Sequence, residues 1–262
     1  MASDTKTESN RKLQRLVGQK YVLLDGGSAT EMVRIGCKNI DNDPLWSARL
    51  LKTNPETVMQ VHKNFLLAGS EVLDTASYQA SVQGFVDHLG VDHDTALSLI
   101  GQSVVLAREA CTETGCDAVV AGCVGPYGAV LHDGSEYTGA YAEKITREEA
   151  CVTCDGERFS DAVRSVVQSD QVLAVGLNCT APEHVCDLLE SVQHLQLQKG
   201  VVVKPNSGEQ WVRDEGWIPG SGCVSLGNQV KTWVDRGATW IGGCCRVYPD
   251  DIAKMKKELD RL

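Results

Sequence analysis

The chain alternates short apolar runs with longer segments whose apolar residues recur at helical spacing. Each apolar run ends in a polar or glycine-rich turn, and a segment of helical periodicity follows most of them. Strands that alternate with helices predict an α/β fold with a parallel sheet. The runs are almost continuously apolar, as in strands that are covered on both faces. The six predicted strands lie in residues 21–25, 71–75, 118–124, 172–179, 201–205 and 238–243.

Several of the intervening segments carry signals for the beginning and end of a helix. Thr53 and Glu56 have the spacing of a capping box, with a proline between them in the first turn, and Gly69 is suited to end that helix. Thr180 and Glu183 repeat the capping-box spacing after the fourth strand. Two further helices are predicted at residues 95–114 and from residue 249 onward.

Two architectures fit this pattern, a TIM-type (β/α)8 barrel and an open doubly wound sheet. The turn after the first strand, Gly26–Thr30, matches neither the dinucleotide-binding fingerprint nor a P-loop. In a barrel, the catalytic residues gather where the strands end. The predicted strand ends carry Asp25, Thr75, Cys179, Asn206, Cys244 and Cys245. This distribution favours the barrel, and because six strands are visible where eight are needed, we expect it to be incomplete or distorted. We expect a single domain over residues 1–262.

Composition and charge exclude several classes of protein. Apolar residues make up 42% of the 262-residue chain and charged residues 23%, which is typical of a globular protein. The net charge is −10 and the basic residues do not cluster, so we expect no nucleic acid and no membrane as a partner. No apolar run approaches the roughly 20 residues that span a bilayer. The first residues are polar and charged, unlike a signal peptide, so we expect a cytoplasmic protein.

Three of the 11 cysteines hold positions that suit a metal. Cys179 ends the fourth predicted strand, and Cys244 and Cys245 end the sixth, directly after two glycines. In a parallel barrel these strand ends share one rim, so three thiolates could converge there and leave Zn²⁺ an open coordination position. The alternative is that these cysteines are buried as small apolar side chains. On spacing and position alone, both interpretations stay open.

Six short stretches of the chain carry a resemblance to a known family. They are Leu24–Glu31, Asp74–Ala80, Ala121–Gly128, Gly176–Thr180, Lys204–Glu209 and Gly242–Arg246. In this order they resemble the homocysteine S-methyltransferase family, in particular its S-methylmethionine and selenocysteine branch, and the Asn-Cys and Gly-Gly-Cys-Cys-Arg motifs are highly specific. The resemblance implies a TIM-type barrel and a methyltransferase whose Zn²⁺ is bound by Cys179, Cys244 and Cys245.

The resemblance also implies the reaction and its small-molecule substrates. The methyl group would pass from S-methylmethionine, or from S-adenosylmethionine, to L-homocysteine, forming methionine. Zinc would keep the homocysteine sulfur as a thiolate, and the leaving group is neutral, so no catalytic residue beyond the metal site is needed. Asp25 sits where the family binds the amino acid substrate and could pair with the homocysteine ammonium, although it could instead bond turn amides. Thr75 and Tyr78 could line the same pocket.

The chain departs from the family pattern near residues 149–151. Glu143–Glu149 begins the helix that follows the third family strand, whereas Ala150–Arg158 looks like the end of the fifth. The gap amounts to about one and a half βα units, roughly 50 residues of an eight-unit barrel. A glutamate that contacts substrate in the family is missing with them, and the sequence shows no replacement. Cys151 and Cys154 form a C-x-x-C at this junction, which we interpret as an accident of the join.

Two other functions stay open. The shortened chain could be a catalytically impaired isoform that still binds zinc. Alternatively, zinc could activate a water molecule for hydrolysis, but three thiolates would make that water less acidic than three imidazoles would, so this function ranks last. The six histidines show no ligand spacing and are expected at the surface or at helix caps.

Overall fold

The computed structural model describes residues 11–125, 158–212, 216–222 and 225–262. The predicted helix at residues 143–149, the junction at residues 149–151, and the cysteines Cys151 and Cys154 lie outside the described residues. The strands are β1 (Val22–Leu23), β2 (Val72–Asp74), β3 (Val119–Ala121), β4 (Ala174–Asn178), β5 (Gly200–Lys204), β6 (Trp211–Val212), β7 (Gly216–Trp217) and β8 (Trp240–Ile241).

Helices follow most of the strands, as the alternating pattern predicts. They are α1 (Ser28–Arg34), α2 (Leu50–Thr53), α3 (Pro55–Leu67), α4 (Val82–Leu89), α5 (His93–Thr114), α6 (Phe159–Val167), α7 (Pro182–Gln193), α8 (Leu226–Asp235) and α9 (Pro249–Leu259), with a 3₁₀ helix at Trp46–Arg49. None of the helices in the described part of the chain has both the length and the apolar character needed to cross a membrane.

Six parallel strands pair in the order β3, β2, β1, β8, β5, β4. A bridge between Leu24 and Val72 joins β1 to β2. The first strand pairs with the last, with Leu23 opposite Ile241, which is the closure expected of a (β/α)8 barrel. The TIM-type fold is therefore confirmed. Within the described residues, β3 and β4 each have a neighbour on one side only, so the ring of strands is open between them.

All six predicted strands are present, but two helix caps differ from the prediction. The N-cap of α3 is Asn54, whose side chain accepts a hydrogen bond from the backbone N–H of Thr57, and Thr53 instead ends α2. The N-cap of α7 is Ala181, and Thr180 bonds back to the carbonyl of Asn178. The predicted helix end is confirmed at Gly69, which adopts a left-handed φ of 104°.

The helices bury one apolar stripe each against the strands. Phe65 of α3 and Trp233 of α8 are fully buried in the largest apolar cluster of the described residues. Ile252, Met255 and Leu259 of α9 are buried on one face, as their helical spacing predicts. This packing fixes the outer layer of helices and leaves the carboxyl ends of the parallel strands at one rim.

One histidine departs from the expected surface position. His62 in α3 is fully buried, and neither of its ring nitrogens makes a hydrogen bond. Removal from water disfavours the charged imidazolium, so burial lowers the pKa of His62 to about 4, against a weaker opposing effect of Asp74. The imidazole is thus held neutral inside the fold.

We predict that His62 makes the protein sensitive to acid. The unfolded chain takes up a proton below pH 6.5 and the folded chain only below about pH 4. The free energy of unfolding therefore falls by up to about 3 kcal/mol as the pH drops through that window. In urea titrations between pH 6.5 and about pH 4, the free energy of unfolding of His62→Leu should not show this decrease. His93→Leu, which changes a side chain that is 70% exposed, should keep the wild-type slope. Equal slopes for wild type and His62→Leu would contradict the prediction.

Candidate metal centre

Three thiol groups meet at the rim formed by the strand ends. Cys179 directly follows β4, and Cys244 and Cys245 follow β8. Their Sγ atoms all lie within 4.8 Å of one another. The Sγ atom of Cys179 is 3.4 Å from that of Cys245, and the two adjacent cysteines have Sγ atoms 3.9 Å apart. This is the one group of three or more potential metal ligands in the described part of the chain.

Backbone hydrogen bonds that extend the sheet beyond its strands place these cysteines. The N–H of Cys179 donates to the carbonyl of Lys204 at 2.8 Å, and the N–H of Cys244 donates to the carbonyl of Pro205 at 2.8 Å. Cys179 and Arg246 both adopt left-handed backbone conformations, with φ of 54° and 64°. Such values are uncommon outside glycine and concentrate at functional sites.

Two glycines, Gly27 and Gly243, allow close packing around the loop that carries Cys244 and Cys245. A Cβ atom on Gly243 would lie 2.2 Å from the side chain of Val247, and one on Gly27 would lie 2.4 Å from the carbonyl oxygen of Cys244. No side chain larger than hydrogen fits at either position without movement of the backbone. The loop that carries the paired cysteines can therefore pack directly on the end of β1.

The three thiols interact strongly with one another. Hydrogen bonds from Cys179 and Cys245 hold the pKa of Cys244 well below its usual range. The pKa of Cys179 is raised well above its usual range, first by its hydrogen bond to Cys244, and the pKa of Cys245 is raised by its bonds to Cys179 and Cys244. The cluster therefore carries one negative charge readily and resists two more. A thiophilic cation would relieve that repulsion, and a set of three sulfur donors suits zinc and leaves one coordination position open.

A buried ion triad lies beside the thiols. The Nζ atom of Lys204, at the end of β5, donates to Oδ1 of Asp25 at 2.8 Å and also to Oδ2 of Asp74. Burial, and to a lesser extent the charge of Asp74, raise the pKa of Asp25 to about 7, against the opposing effect of Lys204. Burial lowers the pKa of Lys204, but the two carboxylates outweigh it and hold that pKa well above its usual range. Lys204 is therefore a fixed cation between two acids.

The predicted substrate residues are placed near this rim in different environments. Asp25 is fully buried, and its Oδ2 accepts the backbone N–H of Asp74 at 2.8 Å. Thr75 is also buried, and its hydroxyl accepts the backbone N–H of Cys123 at 2.9 Å and bonds to Ser77 at 2.7 Å. Tyr78 is half-buried on the same turn. The hydroxyl of Thr75 thus ties the end of β2 to the end of β3.

An ion pair next to the cysteines fixes the following loop. Arg246 donates from Nε to Glu209 at 2.6 Å and from a second nitrogen at 3.0 Å, a bidentate pair. Glu209 also accepts hydrogen bonds from Ser207 at 3.0 Å and from the backbone of Gly220 at 2.8 Å. These contacts, led by the bond from Arg246, lower the pKa of Glu209 to about 2. Asn206 donates to the carbonyl of Cys179 at 3.0 Å, which secures the same loop on the cysteine side.

Sequence reasoning assigned no role to Lys204, Asp74 or Glu209. A lysine that ends an apolar strand, as Lys204 does after Val201–Val203, is a usable signal, because a buried lysine requires a charged partner. The identity of its partners depends on the order of the strands across the barrel. That order is not readable from the local pattern.

We predict that the pair of Arg246 and Glu209 stabilises the rim. Glu209→Gln removes the charge that Arg246 faces in a largely buried position and should lower the free energy of unfolding by about 1.5–3 kcal/mol. The matched control is Glu113→Gln, which neutralises an ion pair with Lys63 at a side chain that is 53% exposed and should change stability by less than about 1 kcal/mol. Urea denaturation at neutral pH measures both, and equal losses would refute a special role for Glu209.

Comparison with known proteins agrees with this geometry. The sequence profile of the homocysteine S-methyltransferase family matches residues 22–153 and, as a second segment, residues 144–259. The homocysteine S-methyltransferase of Escherichia coli is 34% identical over 308 aligned positions, which cover 94% of this chain and 98% of that enzyme. The betaine-homocysteine S-methyltransferase of Drosophila melanogaster is 33% identical, covering 90% and 93% of the two chains.

The structural comparison gives the same assignment. The metallated form of the homocysteine methyltransferase MmuM from Escherichia coli superposes with a TM-score of 0.74 at 32% identity, covering 92% of this chain and 96% of that one. The sequence alignment with the Escherichia coli homocysteine S-methyltransferase is 308 positions long, but it contains only 94% of the 262 residues of this chain. About 60 positions of that alignment therefore have no residue of this chain. The profile match divides where the sequence predicts missing βα units. The chain belongs to the homocysteine S-methyltransferase family.

Proposed function

We propose that this protein transfers a methyl group from S-methylmethionine to L-homocysteine, forming methionine, in a zinc-dependent reaction. The observation that carries the proposal is the convergence of the Sγ atoms of Cys179, Cys244 and Cys245 within 4.8 Å at one rim. Membership in the family and the names of the relatives support homocysteine as the acceptor. S-Adenosylmethionine is a second candidate for the methyl donor.

The three cysteines would hold the zinc ion. All three residues are half-buried at the rim, and their three sulfur atoms leave one coordination position of a tetrahedral zinc ion for an incoming thiol. When bound, zinc would accept the homocysteine sulfur as a thiolate and keep it nucleophilic at neutral pH.

The surrounding residues would then have to align the reactants. A sulfonium donor leaves as a neutral thioether, so no side chain needs to donate a proton, and catalysis depends on orientation. We propose that Thr75 and Tyr78 shape the acceptor pocket from the end of β2, and that Asp25 contributes negative charge at its floor. Both substrates are small molecules, and we propose a cytoplasmic location, where thiols stay reduced.

We predict about one zinc ion per chain in the purified protein. Serine in place of Cys179, Cys244 or Cys245 removes one thiolate and should reduce the bound zinc to well below half of that content, measured by atomic emission after dialysis against a weak chelator. Cys186→Ser changes a half-buried cysteine on α7 and is the matched control, with zinc content expected to match the wild type. Unchanged zinc in all three rim variants would refute the assignment of the ligands.

We predict that the zinc-loaded protein forms methionine from homocysteine with S-methylmethionine as donor. The assay follows labelled methyl from S-methylmethionine, S-adenosylmethionine or betaine into methionine, with chelator-treated protein as the control. S-Methylmethionine should give the highest kcat/KM of the three donors.

Two results would contradict this prediction. Zinc-loaded protein without turnover on any donor would establish instead the catalytically impaired zinc-binding isoform. A preference for betaine would overturn the choice of donor while leaving the acceptor in place.

A further inference from the structure

The ion triad beside the thiol cluster contains two carboxylates, Asp25 and Asp74. The sequence predicts Asp25 as the substrate contact, but Asp74 is the more exposed of the two. The side chain of Asp25 is 1% exposed, and each of its oxygens already accepts a hydrogen bond, from Lys204 and from the backbone of Asp74. The side chain of Asp74 is 37% exposed and bonds to Lys204 through Oδ2. Oδ1 of this half-exposed side chain has no hydrogen-bond partner among the described residues.

The charge of the triad favours a cationic ligand at that position. With both carboxylates ionised, Asp25 and Asp74 carry two negative charges and Lys204 one positive charge, a formal charge of −1. Because burial raises the pKa of Asp25 to about 7, a cation beside Asp74 would favour this ionised state. In the described part of the chain, Lys204 is the one cation paired with either carboxylate. Asp25 and Lys204 are buried, where an unbalanced charge is unfavourable, so a monovalent cation beside Asp74 would balance the triad.

The triad lies beside the thiols, close enough for the charge of Lys204 to act on Cys244. The side chain of Lys204 reaches the two carboxylates, while its backbone carbonyl accepts the N–H of Cys179 at 2.8 Å. One lysine side chain therefore spans from the cysteine-bearing strand end to the acids. Homocysteine carries both a thiol and an ammonium group, so it has one group for the thiol cluster and one for the acids.

We propose that Asp74 binds the ammonium group of the acceptor amino acid, and that Lys204 and Asp25 position the Asp74 carboxylate for this contact. The inference rests on the proposed function, because it takes homocysteine as the acceptor. It makes Asp74 a specificity-determining residue: thiols that carry an α-ammonium group are accepted, and the same thiols without that group bind weakly.

The test compares two acceptors on the zinc-loaded protein. Homocysteine carries the ammonium group, and 4-mercaptobutanoate is the same molecule without it. Asp74→Asn should raise the KM for homocysteine by about 10- to 100-fold, as expected for a lost hydrogen bond between charged groups, and change kcat little. The same variant should leave kcat/KM for 4-mercaptobutanoate within about threefold of the wild type, because that acceptor has no group for Asp74 to bind.

Controls separate binding from structure. Asp74→Glu keeps the charge and should retain most of the affinity for homocysteine. Asp170→Asn neutralises an exposed aspartate and should match the wild type on both acceptors. A thermal melt of each variant checks folding, and Asp74→Ser serves as the neutral variant if Asp74→Asn melts below the assay temperature. Equal losses on both acceptors, or an effect confined to the KM of the methyl donor, would overturn the proposal.

A binding measurement distinguishes failure of this inference from failure of the proposed function. Calorimetric titration with homocysteine gives a dissociation constant that does not depend on methyl transfer. Wild type that binds homocysteine without turnover would refute the methyltransferase, and a weaker dissociation constant in Asp74→Asn would still support the role of Asp74. Active wild type with an unchanged constant in Asp74→Asn would refute the role of Asp74 alone.

Discussion

The hydrogen-bond ladder between β4, β5, β8 and β1 is the interaction on which the site depends. In that ladder Asn178 lies opposite Lys204, and Val203 lies opposite Ile241, so the ends of these strands are level. The ladder then continues through the loops, where Cys179 bonds to Lys204 and Cys244 bonds to Pro205. Cysteines that are far apart in the sequence are thereby brought together, and the sulfur atoms of Cys179 and Cys245 lie 3.4 Å apart.

This dependence explains how the three thiols can meet although the described ring of strands is not closed. The described ring is open between β3 and β4, whereas the cysteines are held by the β4–β5–β8–β1 side. That side is paired from β4 through to β1. The sequence shows no replacement for the glutamate that the family resemblance implies, and the proposed role of Asp74 would supply a carboxylate from β2.

The sequence is sufficient for the strands and for the cysteines, because apolar runs and strand-end residues are local signals. It is insufficient where the outcome depends on partners from distant strands. Lys204 meets two acids that precede it by more than 100 residues, and His62 is buried because of how α3 packs. The cap of α3 falls on Asn54 rather than Thr53 because a separate short helix, α2, occupies the preceding residues. Each of these features depends on tertiary contacts that no local pattern encodes.

X-ray absorption at the zinc edge tests the central claim, that three cysteine sulfurs hold zinc and leave one position for the substrate thiol. The account predicts three sulfur neighbours at about 2.3 Å and one lighter neighbour in the zinc-loaded protein. Addition of homocysteine should convert this shell to four sulfurs, with no lighter atom left. Four sulfurs before homocysteine is added, or an unchanged shell afterwards, would contradict an open zinc site for the acceptor.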